Sequence, residues 1–290
     1  MKQIVVIDNN NNPHNKNLHT EHGLSIYFEV DNLKWLTDAG NSSLFIDNAK
    51  ELGINIKDID HLIISHGHKD HGGGLEKFLE INKKARVWIS HHIKKSRFYS
   101  YRKSNKRDIT IDKEVFNKYN SRFNFISNNI YITDHVMLVT GFTPKYPLPY
   151  ANKALYKEQN NKIEKDDFLH ETAVAVEESD GITVLSGCAH NGLLNTLEAV
   201  ELFTTGKIKM CTGGAHLPDK EDEKSYESDE DIDKIAYTLK EKYPDMKFIT
   251  GHCTGQNAIK RFKNILNNNF DSFYSGYVIP PESFEQSRCL

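Results

Sequence analysis

From His61 to Gly74 the chain reads His-Leu-Ile-Ile-Ser-His-Gly-His-Lys-Asp-His-Gly-Gly-Gly. Four side chains able to bind a divalent cation, His66, His68, Asp70 and His71, fall within six residues. Donors crowded at this spacing repel one another when charged unless a cation holds them, which favours a metal site over a histidine-rich surface loop. A tight loop leaving a strand can aim His66 and His68, two positions apart, at one ion. Asp70 and His71, about a turn further on, then reach a second ion nearby. The glycines at 72–74 suit backbone packed too close to metal and substrate to leave room for side chains. A second segment, Gly187-Cys188-Ala189-His190, offers nitrogen and sulfur donors opposite the first. His190 is the expected ligand there, and Cys188 is the weaker candidate because a lone cysteine is more often a small buried residue. Two cations held this way would deprotonate a water caught between them near neutral pH. The resulting hydroxide is the expected nucleophile toward a carbonyl or phosphorus centre, with Asp70 holding or shuttling the proton and His216 stabilising charge on the oxygen.

These residues must be delivered by strand ends. Leu62, Ile63 and Ile64 predict a short buried strand running straight into His66. Upstream, Leu24 to Val30 and Lys34 to Thr37 alternate as a hairpin that ends in Asp38-Ala39-Gly40. Asn41 to Leu52 carries Leu44, Phe45, Ala49 and Leu52 at helical spacing and stops at Gly53. The order of strand, helix and strand is that of an α/β fold. Further on, Thr172 to Glu177, the turn Asp180-Gly181 and Ile182 to Ser186 form a hairpin that leads into Cys188 and His190. Lys207 to Cys211 opens onto Gly213-Gly214-Ala215-His216, which leaves His216 either a ligand or a substrate contact. Lys247 to Thr250 is the last central strand and closes on His252. The polar run from Asp8 to Asn12 is a loop at the sheet edge bearing the site, placed either to cover it or merely to be solvated. His91 and His92 end the strand Ala85 to Ser90 without a matching motif and read as structural.

The 290 residues, 38% hydrophobic and 27% charged, are those of a globular chain large enough for a substantial core. One domain spanning 1–290 is expected, with a basic and aromatic insertion at about 94–122, read as a solvated segment over the site, and a charged connector at about 151–167, read as a flexible lid. A net charge of −3 gives no electrostatic case for nucleic acid or an anionic membrane. The cations of the insertion stand between aromatics, as in a nucleic-acid platform, but without any nucleic-acid motif. A small-molecule substrate is the expected partner, and the oligomeric state is unspecified. No apolar run approaches about 18 residues and no signal-peptide core is visible, so a cytoplasmic location is expected. Cys188, Cys211, Cys253 and Cys289 are too scattered for a disulfide framework.

The pattern His-x-His-x-Asp-His after an apolar strand resembles the signature of the metallo-β-lactamase fold superfamily. Glu21-His22-Gly23-Leu24-Ser25, Asp38-Ala39-Gly40, Gly187-Cys188-Ala189-His190-Asn191-Gly192, Gly213-Gly214-Ala215-His216-Leu217 and His252-Cys253-Thr254-Gly255 follow in the order of one branch. That branch is the 7,8-dihydropterin-6-yl-methyl-4-(β-D-ribofuranosyl)aminobenzene 5'-phosphate synthase group, and the resemblance runs over nearly the whole chain. It implies an αββα sandwich with two half-repeats packed face to face and a groove for two divalent ions along one edge. His66, His68 and His190 would hold the first ion, and Asp70, His71 and His252 the second. Zinc suits the nitrogen-rich donors, and manganese or iron accept the same set. Asp38 would orient the metal loop without binding metal, and His22 would face the substrate. Lys145, standing where the branch usually has arginine, would grip phosphate or carboxylate. Many superfamily members carry a bridging aspartate at the end of the strand leading to His190; here none stands there. A metal-dependent hydrolase acting on a small anionic substrate is the leading expectation. A synthase-like condensing enzyme and a di-iron redox protein are the alternatives.

Overall fold

The computed structural model describes residues 1–102, 105–220 and 226–279. The N-terminal half supplies β1 (Gln3–Ile7), β2 (Ser25–Val30), β3 (Leu33–Thr37), α1 (Leu44–Glu51), β4 (His61–Ile64), the single turn α2 (Lys69–Gly72), α3 (Leu75–Ile81) and β5 (Arg86–Ser90). After it come the hairpin β6 (Arg97–Arg102) and β7 (Asn105–Asp108), α4 (Glu114–Lys118) and β8 (Phe123–Ile126). The second half begins with β9 (Ile130–Tyr131) and β10 (Val136–Thr140), then the hairpin β11 (Leu155–Gln159) and β12 (Lys162–Lys165). It continues through β13 (Thr172–Glu178), β14 (Gly181–Ser186), α5 (Leu193–Phe203), β15 (Ile208–Gly213), α6 (Asp229–Lys242) and β16 (Lys247–Thr250). The described chain closes with α7 (Gln256–Leu266), β17 (Phe270–Ser272) and β18 (Val278–Ile279).

Two sheets form, in the orders β18-β1-β2-β3-β4-β5-β8 and β17-β16-β15-β14-β13-β10-β9. Successive strand residues point to opposite faces, and here both faces are buried. In β4, Leu62 and Ile64 pack under α1 and α3 while Ile63 packs between the sheets. In β16, Phe248 faces α7 while Ile249 meets the first sheet's residues. The layer between the sheets is built from Val5, Ile26, Phe28 and Trp35 on one side and Leu138, Val174, Val176 and Leu185 on the other. Two sheets face to face with helices outside is the αββα sandwich expected from the sequence.

Helix boundaries agree with the spacing rules. Gly53 takes φ +74 just past α1, and the Ser228 side chain accepts the Asp231 N–H at the start of α6. The insertion and the charged connector differ from a solvated loop and a lid. They pair with each other, Tyr99 opposite Tyr156 and Phe98 opposite Lys157, in a four-stranded sheet ordered β12-β11-β6-β7. Tyr99 Oη donates to Glu158 at 2.6 Å across this pairing, and Phe98 is fully buried against the main body. Residues from 280 onward, Cys289 among them, lie outside the described residues. Among the described residues no helix is long and apolar enough to cross a membrane.

Candidate metal centre and active site

The site forms where strands of both sheets end. Ser65 follows β4 and its carbonyl accepts the Thr172 N–H of β13 at 2.7 Å, tying the two sheets together beside the histidine loop. At four of these strand ends the turn requires a left-handed residue: Asp38, Ala189, His216 and His252 have φ of 64, 57, 48 and 53°. Non-glycine residues in this region cost about 1 to 3 kcal/mol each and cluster where surrounding structure over-determines them. At Gly187 a side chain has no room, because a Cβ there would lie 2.1 Å from Ser65 Oγ and 3.1 Å from Asp38 Oδ2.

Four histidines share one arrangement. Each has Nδ1 committed to a protein partner, which leaves Nε2 facing the common centre. His71 Nδ1 meets Asp38 Oδ2 at 2.6 Å, His66 Nδ1 meets Ser65 Oγ at 2.9 Å, His190 Nδ1 meets Asn152 Oδ1 at 3.1 Å and His252 Nδ1 meets Asn9 Oδ1 at 3.1 Å. Asp38 also accepts the Ser65 N–H at 2.7 Å and its hydroxyl at 2.8 Å, so one buried carboxylate sets two imidazoles. Fixing the outer nitrogen in this way orients an imidazole for a cation and raises its basicity.

Two groups of donors result. His66, His68 and His190, all buried, bring ligating atoms within 4.8 Å of one another. The Nε2 atoms of His66, His68 and His190 are buried without a hydrogen-bond partner. Buried polar atoms left unpaired are costly, and a set of them converging is what a cation would satisfy. The second group sits beside the first, with the His66 and His71 ring centroids 4.1 Å apart. There His71 Nε2 lies 3.0 Å from His252 Nε2, and Asp70 Oδ2 lies 3.6 and 3.5 Å from these two nitrogens. His216, buried with both ring nitrogens unpartnered, has its ring centroid 4.0 Å from that of His190, tilted by 53°, and groups with Cys188 and His190.

The electrostatics agree with a pair of cation positions. Burial opposes ionisation of Asp70, but the imidazoles of His71, His252 and His22 outweigh it and hold the carboxyl below its ordinary range. Burial also opposes charge on His71; Asp38 and Asp70 override it and lift the imidazole to about 9. In the metal-free chain this position therefore attracts a proton where a cation could bind. Burial, with neighbouring imidazoles, pushes His66 and His190 well down, and burial takes His252 to about 3.

A cleft of about 530 Å³ opens above the cluster. His22 stands at its mouth, largely exposed, with Nε2 3.3 Å from Asp70 Oδ2. Asn9 and Asn10 of the polar loop line the cleft, and Asp8 accepts the His252 N–H at 2.8 Å, so this loop covers and orients the site. Lys145, expected to bind substrate, is exposed and pairs with Glu198 of α5 at 2.9 Å, outside the lining of this cleft. Lys69, Arg102 and Arg107 line the cleft instead. The pairing of β6 with β7 sets Ser100 opposite Arg107 and Arg102 opposite Asn105, so Ser100, Arg102 and Arg107 share one face. Among the described residues no ion pair engages Lys69, Arg102 or Arg107. His91, half-buried, meets Ile126 O of β8 at 3.3 Å and the His92 ring at a centroid distance of 3.9 Å, in keeping with a structural histidine.

Three buried residues had no sequence signal. Asp166, just beyond β12, accepts from His170 Nε2 at 3.1 Å and lies 3.9 Å from His68 Nε2. His170 Nδ1 in turn accepts the Gly67 N–H at 3.0 Å, which pins the metal loop from below. Glu171 takes the N–H groups of His190 and Asn191, both at 2.7 Å, and fixes the turn that carries His190.

A profile of the metallo-beta-lactamase superfamily matches residues 20–193, more than half of the chain. The chain belongs to the metallo-beta-lactamase superfamily. Among its relatives is the 7,8-dihydropterin-6-methyl-4-(beta-D-ribofuranosyl)-aminobenzene-5'-phosphate synthase of Methanocaldococcus jannaschii, 27% identical over 275 residues and 90% of each chain. An uncharacterised protein of the same organism is 28% identical over 268 residues, 91% of this chain and 95% of that one. Among solved structures, Tm1679, described as a metal-dependent hydrolase of the beta-lactamase superfamily, is similar with a TM-score of 0.79 and 28% identity over 97% of this chain and 99% of its own. The zinc-bound PqqB of Methylobacterium extorquens shares the metallo-beta-lactamase fold at a TM-score of 0.57 and 10% identity, over 97% of this chain and 100% of its own. The synthase-branch resemblance read from the motifs is thus borne out.

Proposed function

We propose that this metallo-beta-lactamase superfamily member is an enzyme that uses two divalent metal ions to hydrolyse a small, phosphate-bearing substrate. The observation that carries the reading is the set of inward Nε2 atoms beside Asp70, lying beneath a cleft lined by Lys69, Arg102 and Arg107. The donor chemistry fits divalent metals: His66, His68 and His190 for one ion, and Asp70, His71 and His252 for the other, with zinc the best match and manganese or iron also accepted. When bound, such ions supply Lewis-acid polarisation of a carbonyl or phosphoryl oxygen and acidify water.

The protein's own groups do the remaining work. Lys69, Arg102 and Arg107 bind the anionic end of the substrate and orient the reacting group toward the cluster. His216 reaches the same centre from β15 and donates to the oxygen on which charge develops. Asp70, held ionised, orients the attacking water by accepting its hydrogen bond. His22, exposed and 3.3 Å from that carboxylate, offers the outlet to solvent.

A second reading is condensation of two substrates, favoured by the 27% identity to a synthase along 90% of both chains. The same cations of the cleft would hold a phosphate in either reaction. Metal analysis of protein purified without added ions comes first: zinc or manganese supports the hydrolase, and iron with redox activity supports the di-iron alternative. A screen of phosphodiesters, lactones and pterin phosphates, singly and in pairs, with His68→Ala as control then separates hydrolysis from condensation. Turnover of any of them by His68→Ala at the wild-type rate would refute the reading.

A further inference from the structure

The second cation position has three expected donors, Asp70, His71 and His252, and a fourth group stands among them. Cys188 Sγ lies 3.2 Å from His71 Nε2 and groups with His66 and His71. Of the other separations, His71 Nε2 lies 3.0 Å from His252 Nε2, Asp70 Oδ2 lies 3.6 and 3.5 Å from these two nitrogens, and Cys188 falls within 4.8 Å of His252. A tetrahedral ion with bonds of about 2.0 to 2.3 Å has ligand-to-ligand edges of about 3.3 to 3.8 Å, and these distances of 3.0 to 3.6 Å lie in or just below that range. Hydrogen bonding accounts for only part of this cluster. With the Nδ1 atoms of His71 and His252 directed at Asp38 and Asn9, one proton between the two Nε2 atoms joins them at 3.0 Å. A single proton could join two of the four atoms, whereas one cation satisfies all of them.

We infer that Cys188 is the fourth protein ligand of the second cation position, making it a closed two-nitrogen, one-oxygen, one-sulfur site for a thiophilic divalent ion. The inference rests on the metal-dependent reading above and adds an asymmetry to it. The first position has three histidines and leaves room for substrate; the second is filled by protein and serves to hold charge and orient Asp70. A thiolate there disfavours magnesium and manganese relative to zinc, cobalt or iron. Cys253 is the natural comparison. Its sulfur also falls within 4.8 Å of Cys188 and His252, but it accepts the His216 N–H at 3.3 Å and turns toward the Cys188 carbonyl at 3.6 Å.

Cobalt(II) tests this on the full-length protein after chelator treatment, with equilibrium dialysis counting bound ions and absorption spectroscopy reading the sulfur-to-cobalt charge-transfer band in the near ultraviolet. Wild type and Cys253→Ser should show the band as the second ion binds, and Cys188→Ser and Cys188→Ala should lose it. Two bound cobalt ions without the band in wild type, or the band intact in Cys188→Ser, overturns the assignment of Cys188 and leaves the metal reading standing. No cobalt binding at all overturns both. The wild-type spectrum needs no variant, so a substitution that fails to fold does not blunt the test.

Discussion

Replacing Asp38 by asparagine should separate the two cation positions. The Asp38 carboxylate is fully buried and accepts three hydrogen bonds, from Ser65 N at 2.7 Å, Ser65 Oγ at 2.8 Å and His71 Nδ1 at 2.6 Å. Asparagine keeps the volume and tolerates the backbone, which sits at φ 64°. Its single carbonyl oxygen can retain the Ser65 N–H, but its amide nitrogen then confronts the N–H of His71. The ring escapes by moving its proton from Nδ1 to Nε2, which removes the lone pair facing the second position. Loss of such an orienting partner typically lowers metal affinity about 10- to 100-fold, or about 1.4 to 2.7 kcal/mol. The metal-free protein should also lose about 1.5 to 3 kcal/mol of charged hydrogen bonding, less the relief from no longer burying a carboxylate. Competition against a chromophoric chelator would read both ions: one equivalent weakened by that factor, the other weakened less because Asp38 reaches only His66 of that set, and only through Ser65 Oγ. Two unchanged affinities would refute the orienting role, and two equally weakened ones would show general loosening instead.

Arg102→Ala and Arg107→Ala should each weaken competitive inhibition by inorganic phosphate about 5-fold, a charged hydrogen bond discounted for solvent exposure; Lys145→Ala should change it less than twofold, and the reverse ranking would return Lys145 to the site. The metal-free protein should lose stability on acidification. His252, His66 and His190 are neutral when folded, so the stability they contribute is complete above their ordinary value of 6.5 and falls as pH drops toward about 3, the value for His252, by about 1.4 kcal/mol per unit for each histidine. His71 runs the other way, stabilising below 6.5 and losing that contribution as pH rises through about 9; chemical denaturation across pH 4 to 10 would test both arms, and a flat profile would contradict the buried neutral cluster. Gly67→Ala places a methyl 2.3 Å from Phe98 Cε2, so it should cost about 1 to 3 kcal/mol and lower the melting temperature; an unchanged melt would mean that the insertion can move off the metal loop.

The layers were legible because period-2 and period-3.6 patterns are local. Leu62 to Ile64 and Lys247 to Thr250 read as strands from their apolar runs, and α1 from Leu44, Phe45, Ala49 and Leu52. The third sheet was not legible. In β11 and β12 polar and charged residues occupy both faces, as in Lys157, Glu158, Lys162 and Glu164, so no alternation marks a buried side, and a register so weakly specified is fixed only by its partner β6. Lys145 shows the same limit: its charge was visible, but Glu198, lying 53 positions away on α5, was its competing partner.

The site divides along the same line, between donors and what aims them. The groups able to bind an ion announce themselves by type and by their place after a strand, so His66, His68, Asp70, His71, His190, His216 and His252 could be listed without coordinates. What aims them comes from elsewhere in the chain. Asn9 reaches His252 across 243 positions, Asn152 reaches His190 across 38, and His170 reaches Gly67 across 103. Asparagine and a lone histidine are common on solvated loops, so residue type carries no signal for that task. Yet each of these partners controls which ring nitrogen faces inward, or where the loop stands. The donor inventory therefore argues for a metal site, whereas a selective one depends on contacts that exist only after the two half-sheets have docked. Folding and metal affinity should then be coupled, with ions added to the native chain raising its melting temperature in proportion to the logarithm of their concentration above the dissociation constant.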